Sequence, residues 1–355
     1  MDAKLIALAF VASFSAAAGI LWVLLRTRTA WRIAMDRPNE RSLHRLPIPR
    51  AGGWGLIPAA VICAVAFGAG DNLLIGLTAV LFFVSYADDR VSLPILVRMP
   101  IQAAVAALWL SYGPIGLPTP IGVLAGCGIV WIMNLFNFMD GSDGLAGGMA
   151  LFAFGTFAAV AGAAGVMPLA IWSIALAGAS AGFLLFNFNP ARIFLGDAGS
   201  VVLGFLAAVF GIWGWAAGIW PFWFPFLVAA PFFIDGTVTL FRRVIRREKF
   251  WRAHREHYYQ RLIRSGWSHR RTAVCEYVLM AGSAGLAIAM LQWTPQAQYA
   301  GLIIAAAAYT ALMCAIDRRW ARYQHRLNVV DDAHSPTESG GMGLHEPAPM
   351  RRHSR

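Results

Sequence analysis

Long apolar runs alternate with short polar clusters from one end of this chain to the other. Runs at 4–25, 52–70, 72–88, 95–112, 118–136, 145–164, 167–186, 200–217, 219–240, 273–292 and 297–316 predict about eleven helices long enough to cross a hydrocarbon core of ~30 Å. Some connections are very short, as at Gly70-Asp71-Asn72, so the pattern predicts antiparallel hairpins within one bundle rather than separate domains. The first run lacks a small-residue cleavage site and is expected to stay as a helix. The predicted fold class is therefore all-α, a polytopic integral membrane bundle. A transmembrane domain over 1–316 is followed by a tail over 317–355, whose far part, from 327, is poor in apolar side chains and is expected to be disordered.

Composition supports the same solvent: 58% of residues are hydrophobic and 13% charged. Charge adds an orientation. If the N-terminus lies outside and the spans alternate, one side receives loops 26–51, 88–94, 187–199 and 241–272 and the tail. With Arg98, these segments hold every Lys and Arg except Lys4, so that side is expected to be cytoplasmic, at the inner membrane of a bacterium. The net charge of +11 borders a membrane, where lipid headgroups and anionic substrates are the nearer partners, and no soluble module suggests nucleic acid. Cys63, Cys127, Cys275 and Cys314 lack metal-type or disulfide-framework spacing.

Ionisable groups at a membrane boundary are costly unless they face water, each other or a ligand. Alternation carries Asp88, Asp89, Asp140, Asp143, Asp197 and Asp235 to the cytoplasmic end of the bundle. Six carboxylates beside Arg-rich loops repel one another unless a cation neutralises them, which is the chemistry of a metal-assisted phosphate site. In Asn134-Leu-Phe-Asn-Phe-Met-Asp-Gly-Ser-Asp-Gly-Leu-Ala146, residues Asn137, Asp140 and Asp143 share a face if the helix continues, and their hard oxygens suit Mg²⁺. The plainer reading is a helix start capped by Ser142 or Asp143.

Asp88-Asp89-Arg90 serves either function or boundary marking; adjacent side chains diverge by ~100° on a helix, so the two carboxylates are expected to take different roles. Asn187-Phe-Asn-Pro-Ala-Arg-Ile-Phe-Leu-Gly-Asp-Ala-Gly-Ser200 predicts a turn into the next span that offers backbone N–H groups to an anion, with Asp197 placed to hold a cation; an ordinary structural turn is the alternative. The loop carrying His254, Arg255 and His257 suits a diphosphate better than zinc, since no third ligand of the HExxH type accompanies the histidines; it also fits an amphipathic helix on anionic lipid. Arg45 and Arg50, before Gly52-Gly53, add phosphate-directed groups that positive-inside topology would also supply.

Taken in order, these motifs resemble the polyprenyl-phosphate N-acetylhexosamine-1-phosphate transferases, glycosyltransferase family 4, which include the phospho-MurNAc-pentapeptide transferase of peptidoglycan synthesis and the enzymes that initiate O-antigen. The resemblance runs from about Asp36 to Leu262 through Pro49-Arg-Ala-Gly-Gly53, Asp88-Asp89, the Asn134 and Phe194-Leu-Gly-Asp-Ala-Gly-Ser200 motifs, and a His-containing loop. It implies transfer of a sugar 1-phosphate from a UDP-N-acetylhexosamine to undecaprenyl phosphate with Mg²⁺, or Mn²⁺ in its place, giving the lipid-diphosphate sugar and UMP; a homodimer is compatible with it. By similarity, Asn137 and Asp197 hold the metal, and Asp143, Asn187 and Phe194 line the nucleotide site. Asp88, Asp89 and Asp140 complete the catalytic group with Asp197, Asp88 and Asp89 looking toward the lipid phosphate, while Arg50, His254, Arg255 and His257 bind the donor. One departure stands out: His257-Tyr-Tyr-Gln-Arg-Leu262 lacks the His-x-His-His cluster of many relatives and looks more like the O-antigen initiating subgroup, whose donors include FucNAc and QuiNAc as well as GlcNAc. The opposing classes are an ion-coupled transporter or lipid flippase, which would place carboxylates near the bilayer midplane on repeated halves, and a scaffold that turns nothing over.

Overall fold

The computed structural model describes residues 2–36, 46–248 and 254–334, with side chains described as far as Leu327; Arg45 lies outside the described residues. The chain runs α1 (Asp2–Arg26), α2 (Ala30–Ile33), β1 (Met35–Asp36), β2 (Ile48–Pro49), α3 (Gly52–Ala66), α4 (Asn72–Val91), α5 (Ile95–Tyr112), α6 (Thr119–Met139) and α7 (Leu145–Ala163). It continues through α8 (Met167–Asn187), α9 (Asp197–Ala216), α10 (Phe224–Val228), α11 (Ala230–Ile245), α12 (Tyr258–Arg264), α13 (His269–Met290) and α14 (Pro295–His334). The only strands among the described residues are the two-residue β1 and β2, so the all-α class holds.

Nine helices among the described residues are long and apolar enough to span a bilayer: α1, α4 to α9, α13 and α14. The two other expected spans are shorter. α3 has 15 residues, with Pro58 inside it. The ninth expected span divides at Ala229 into α10 and α11, each with a proline in its first turn, Pro225 and Pro231. Proline is tolerated there because its missing N–H would be unbonded anyway, whereas inside one continuous helix it would remove a hydrogen bond and clash with the preceding turn. The expected tail from 317 also begins differently, because α14 carries on without a break to His334.

α7, α8 and α9 form the centre. Between 67% and 78% of their apolar windows is buried, against 17% to 22% for α1, α5, α6 and α14, which turn most of their surface outward. Small residues set the closest crossing: Gly178 and Gly182, one turn apart on α8, lie against the backbone of Phe10 and Phe14 on α1, where any side chain would collide. Local signals start and stop the helices that carry polar residues. The Asp71 carboxylate accepts from the Leu74 N–H at 3.0 Å to begin α4. Phe188, two residues before Pro190, is extended and ends α8. Gly144 and Gly196, both at φ +76°, supply the left-handed backbone from which α7 and α9 start.

Candidate active site

Four chain segments meet at one end of this bundle. The segment from β2 into α3 pairs with the loop ahead of α9: Phe194 N–H donates to the Pro49 carbonyl at 2.9 Å, and the Gly52 and Gly53 N–H groups donate to Phe194 and Leu195 at 2.8 and 2.9 Å. This pairing sets Arg50 beside Phe194 and brings its guanidinium to Asp36 at 2.8 Å and Asp89 at 3.7 Å. The last turn of α4 supplies Asp88 and Asp89, the end of α6 supplies Asn137 and Asp140, and α9 opens with Asp197.

Within this group every carboxylate has a distinct setting. Asp89, with a side chain 1% exposed, accepts from the Asp197 N–H at 3.0 Å and the Ala198 N–H at 3.1 Å, one oxygen to each. Asp88 accepts from the Leu93 N–H at 2.7 Å and pairs with Arg98 Nη1 at 2.6 Å, and the same nitrogen lies 3.8 Å from Asp197. Asn137 donates to Asp197 at 3.3 Å while Ser200 donates to Asn137 at 3.2 Å. Asp140 sits just past α6; burial, then the Asp197 charge, pushes its carboxyl well above the ordinary range. Burial works against the Arg50 charge, yet Asp36, Asp197, Asp89 and Asp140 together hold its pKa above the usual arginine value. Four carboxylates, Asp88, Asp89, Asp140 and Asp197, thus share two guanidinium groups, leaving an excess of negative charge that favours a bound cation.

Two expectations from the spacing are corrected here. Asn137, Asp140 and Asp143 do not share a helical face, because α6 ends at Met139 and the chain turns through Gly141 and Gly144. Asp143 points the other way, accepting from Asn189 Nδ2 at 2.7 Å and the Ala191 N–H at 3.1 Å, and Gly144, not Ser142 or Asp143, precedes α7. The start of α9 does not hold out its first two amides to an external anion either, since Asp89 already occupies them.

Asp143 and Asn187 are brought together as a staple. Asn187, 2% exposed, accepts from the Gly144 N–H at 2.9 Å and donates to the Ile193 carbonyl at 2.9 Å, so both residues lock the 140–144 turn to the loop that carries Phe194.

Asp235 belongs to a second node. Its buried carboxylate accepts from the Tyr258 N–H at 2.9 Å, the Tyr259 N–H at 3.1 Å and the Thr239 hydroxyl at 3.1 Å, with His257 Nδ1 at 3.2 Å. These contacts dock the N-terminus of α12 on α11 and hold His257 buried, its ring 4.9 Å from that of His254. Burial, and then His257 and Arg243, lower His254 to about 4, so its ring is neutral at neutral pH. Tyr259 joins the two nodes: its hydroxyl lies against the Gly141 backbone, and burial, Asp235 and Asp140 all raise its pKa.

The profile of glycosyl transferase family 4 matches residues 72–215, from the start of α4 to the end of α9, and so encloses both aspartate motifs. Comparison over a longer stretch agrees. A probable undecaprenyl-phosphate N-acetylglucosaminyl 1-phosphate transferase of Bacillus subtilis strain 168 is 28% identical over 287 residues, covering 73% of this chain and 79% of that protein. The undecaprenyl-phosphate alpha-N-acetylglucosaminyl 1-phosphate transferase of Escherichia coli K12 is 28% identical over 286 residues, covering 72% and 76%. The segment from α4 to α9 matches glycosyl transferase family 4. A decaprenyl-phosphate N-acetylglucosaminephosphotransferase of Mycobacterium tuberculosis H37Rv, 28% identical over 295 residues, extends the similarity to 69% of this chain and 72% of that relative.

The family 4 match contains one residue whose place at the site was not foreseen from sequence. Arg98 counted only toward topology, although a lone arginine one turn into an apolar span is itself a signal of a functional group. In the structure it bridges Asp88 and Asp197.

Proposed function

We propose that this protein is a family 4 enzyme that transfers a sugar 1-phosphate from a UDP-N-acetylhexosamine to undecaprenyl phosphate, releasing UMP. The observation that carries the lipid half is a groove of about 1430 Å³ between α5 and α6. Its walls are apolar along the bundle, with Leu96, Leu110, Val123 and Val130 among them, and its polar end is formed by Arg98 and Asn137, beside the carboxylates. A long isoprenoid in such a groove leaves its phosphate at Arg98, whose Nε is buried without a hydrogen-bond partner.

Arg98 is thus assigned to the lipid phosphate and Asp88 to orienting Arg98. Asp88 is also the neighbour placed to accept a residual proton from that phosphate, because it contacts Arg98 at the polar end of the groove whereas Asp89 faces the start of α9. Arg50, His254, Arg255 and His257 are assigned to the donor diphosphate and sugar, and the Phe194 loop, stapled by Asp143 and Asn187, to the nucleotide. A lipid-phosphate oxygen bonds to the sugar-bearing phosphorus as the bond to the oxygen of the departing UMP breaks, and alignment with charge neutralisation supplies most of the rate. No covalent phospho-aspartate is required.

The residues fit a hard dication. Asp197 and Asn137 stand side by side, Asn137 Nδ2 donating to Asp197 while its Oδ1 is held by Ser200, with Asp140 nearby; among the described residues no group of three His, Cys, Asp or Glu side chains is placed to hold a metal alone, so a substrate's phosphates would supply the remaining oxygens. Mg²⁺ held by Asp197 and Asn137, with Mn²⁺ as a substitute, would neutralise charge on the diphosphate. The carboxylate end is assigned to the cytoplasmic face of a bacterial inner membrane, on the Lys and Arg distribution. GlcNAc is the first donor to try, on the names of the relatives, and FucNAc and QuiNAc come next because the His257-Tyr-Tyr-Gln segment departs from the His-rich pattern. Incubation with polyprenyl phosphate, Mg²⁺ and these three UDP-sugars tests the reading: UMP appears only with lipid present, and release without lipid would refute it.

A further inference from the structure

α14 continues past the apolar stretch that ends near residue 316 and enters the polar layer beside α12. There it makes two separate attachments. The Asp317 carboxylate accepts from Arg261 at 2.6 Å, from Arg242 at 2.8 Å and from the Tyr258 hydroxyl at 3.3 Å. Two residues further along, Arg319 donates to both the hydroxyl and the carbonyl of Ser265, at 2.8 and 2.7 Å. Tyr258 and Arg261 lie in the first turns of α12, and Ser265 is its C-cap, so α14 grips the short helix at both ends. Stacked cations widen the contact: Arg264 lies 4.7 Å over Trp320, and Arg271 and Arg319 lie 4.0 and 5.8 Å from the Trp267 ring.

A helix of seven residues is too short to be stable alone in water and takes its position from whatever holds it. Asp235 holds α12 from the α11 side, and Asp317 and Arg319 hold it from the other. Arg242 reaches from α11 to Asp317, closing the brace around Tyr258, whose ring packs against both Arg242 and Arg261. The chain ahead of α12 carries His254 and His257, and Tyr259 of α12 touches the Gly141 turn.

We propose that the polar extension of α14 is a positioning clamp for the donor-binding loop, with Asp317 and Arg319 as its two contacts. The purpose assigned to the clamp rests on the transferase reading, whereas its existence does not. Neither residue touches the carboxylate group, so they act only through α12, which sets where His254, Arg255 and His257 stand and carries Tyr259 to the Gly141 turn.

The test compares Asp317→Asn, Asp317→Glu and Arg319→Gln with the unaltered full chain in detergent. For Asp317→Asn the expected result is a rise of about tenfold in KM for the UDP-sugar, with kcat and KM for polyprenyl phosphate within about twofold of the unaltered protein. Asp317→Glu, which keeps the charge, recovers most of the loss, and Arg319→Gln, which severs only the Ser265 contacts, gives a smaller rise of the same kind. Backbone amide exchange is measured in parallel on the ligand-free proteins: it quickens across Tyr258–Arg264 in Asp317→Asn and stays unchanged in α4 and α9. Donor KM within twofold together with unchanged α12 exchange would overturn the clamp. If the unaltered protein releases no UMP, the transferase reading fails, and the exchange comparison alone still decides whether α14 holds α12.

Discussion

Asp89 closes the N-terminus of α9 from another helix, one oxygen accepting from the N–H of Asp197 at 3.0 Å and the other from that of Ala198 at 3.1 Å. A carboxylate from α4 therefore occupies the anion position of the very helix whose first side chain is assigned to the metal. The paired aspartates divide the work: Asp89 fixes the direction of Asp197, while Asp88 fixes Arg98 at the mouth of the groove. Gly196 lets the two elements approach this closely, because a Cβ there would lie 2.8 Å from Asp89 Oδ2.

Asp89→Asn replaces one of those acceptors with an NH₂ group facing an N–H donor. A lost buried acceptor costs about 1–3 kcal/mol. The melting temperature should fall in parallel with activity. Asp197→Asn should behave differently, keeping the fold and losing turnover by about a hundredfold or more, in line with the loss of a charge-stabilising group. Thermal melts beside UMP assays separate the two, and an Asp89→Asn protein as stable and active as the unaltered one would contradict the capping role.

Arg98→Ala should raise KM for polyprenyl phosphate by about tenfold to a hundredfold, as expected for losing a charge-assisted hydrogen bond to phosphate, and leave binding of the UDP-sugar nearly unchanged. Titrating each substrate separately checks this. An effect confined to the donor would move Arg98 out of the lipid-phosphate site.

Gly122 lines the groove and has open space where a Cβ would stand, so Gly122→Phe fills the groove without a clash against neighbouring atoms at that first carbon. KM should rise about tenfold for a long polyprenyl phosphate, equivalent to ~1.4 kcal/mol, and much less for a short isoprenyl phosphate that does not reach so far. Equal sensitivity for both chain lengths would place the lipid elsewhere.

These assignments draw unequally on what sequence alone could give. Hydropathy located the spans because each must satisfy its backbone internally in lipid, which leaves a long, regular signal. Alternation of those spans gathered Asp88, Asp89, Asp140, Asp143, Asp197 and Asp235 at one end, of which Asp143 and Asp235 turn to separate contacts. What remained hidden was direction. A spacing of three residues suggested that Asp143 shared a face with Asn137, but the Gly141 and Gly144 turn sends it to Asn189 and Ala191. The division at Ala229 was signalled by Pro225 and Pro231, whose effect is weak in a pattern read by hydropathy alone. The helical extension after 316 was hidden for the opposite reason: its contacts are ion pairs and stacked arginines, which leave no apolar period to read.

His254 gives a pH test independent of substrate. Its folded value of about 4 lies below the ordinary 6.5, first because of burial and then because of His257 and Arg243. Between those values the unfolded chain binds more protons than the folded one, so stability must fall as pH drops from 6.5 toward 4. Melting temperatures of the ligand-free protein across pH 7 to 4.5 should decline, and His254→Gln should flatten part of that decline. An identical slope in the variant would show that His254 titrates in the folded state much as it does in an unfolded chain.

Metal removal follows from the excess of carboxylate over guanidinium at the site. Chelation should abolish turnover, Mg²⁺ should restore it fully and Mn²⁺ in part, and the protein should stay folded by circular dichroism throughout. Activity that survives exhaustive chelation would leave Arg50 and Arg98 as the only neutralising charges and would remove the metal from the account.

The most direct measurement is UMP release by purified protein given polyprenyl phosphate, Mg²⁺ and UDP-N-acetylhexosamines, with Asp197→Asn run beside it. The account predicts release that needs lipid, metal and Asp197 together, with one UMP for each lipid-diphosphate sugar formed. A folded protein that forms no lipid-linked sugar with any donor, or an Asp197→Asn variant as active as the unaltered chain, would contradict it.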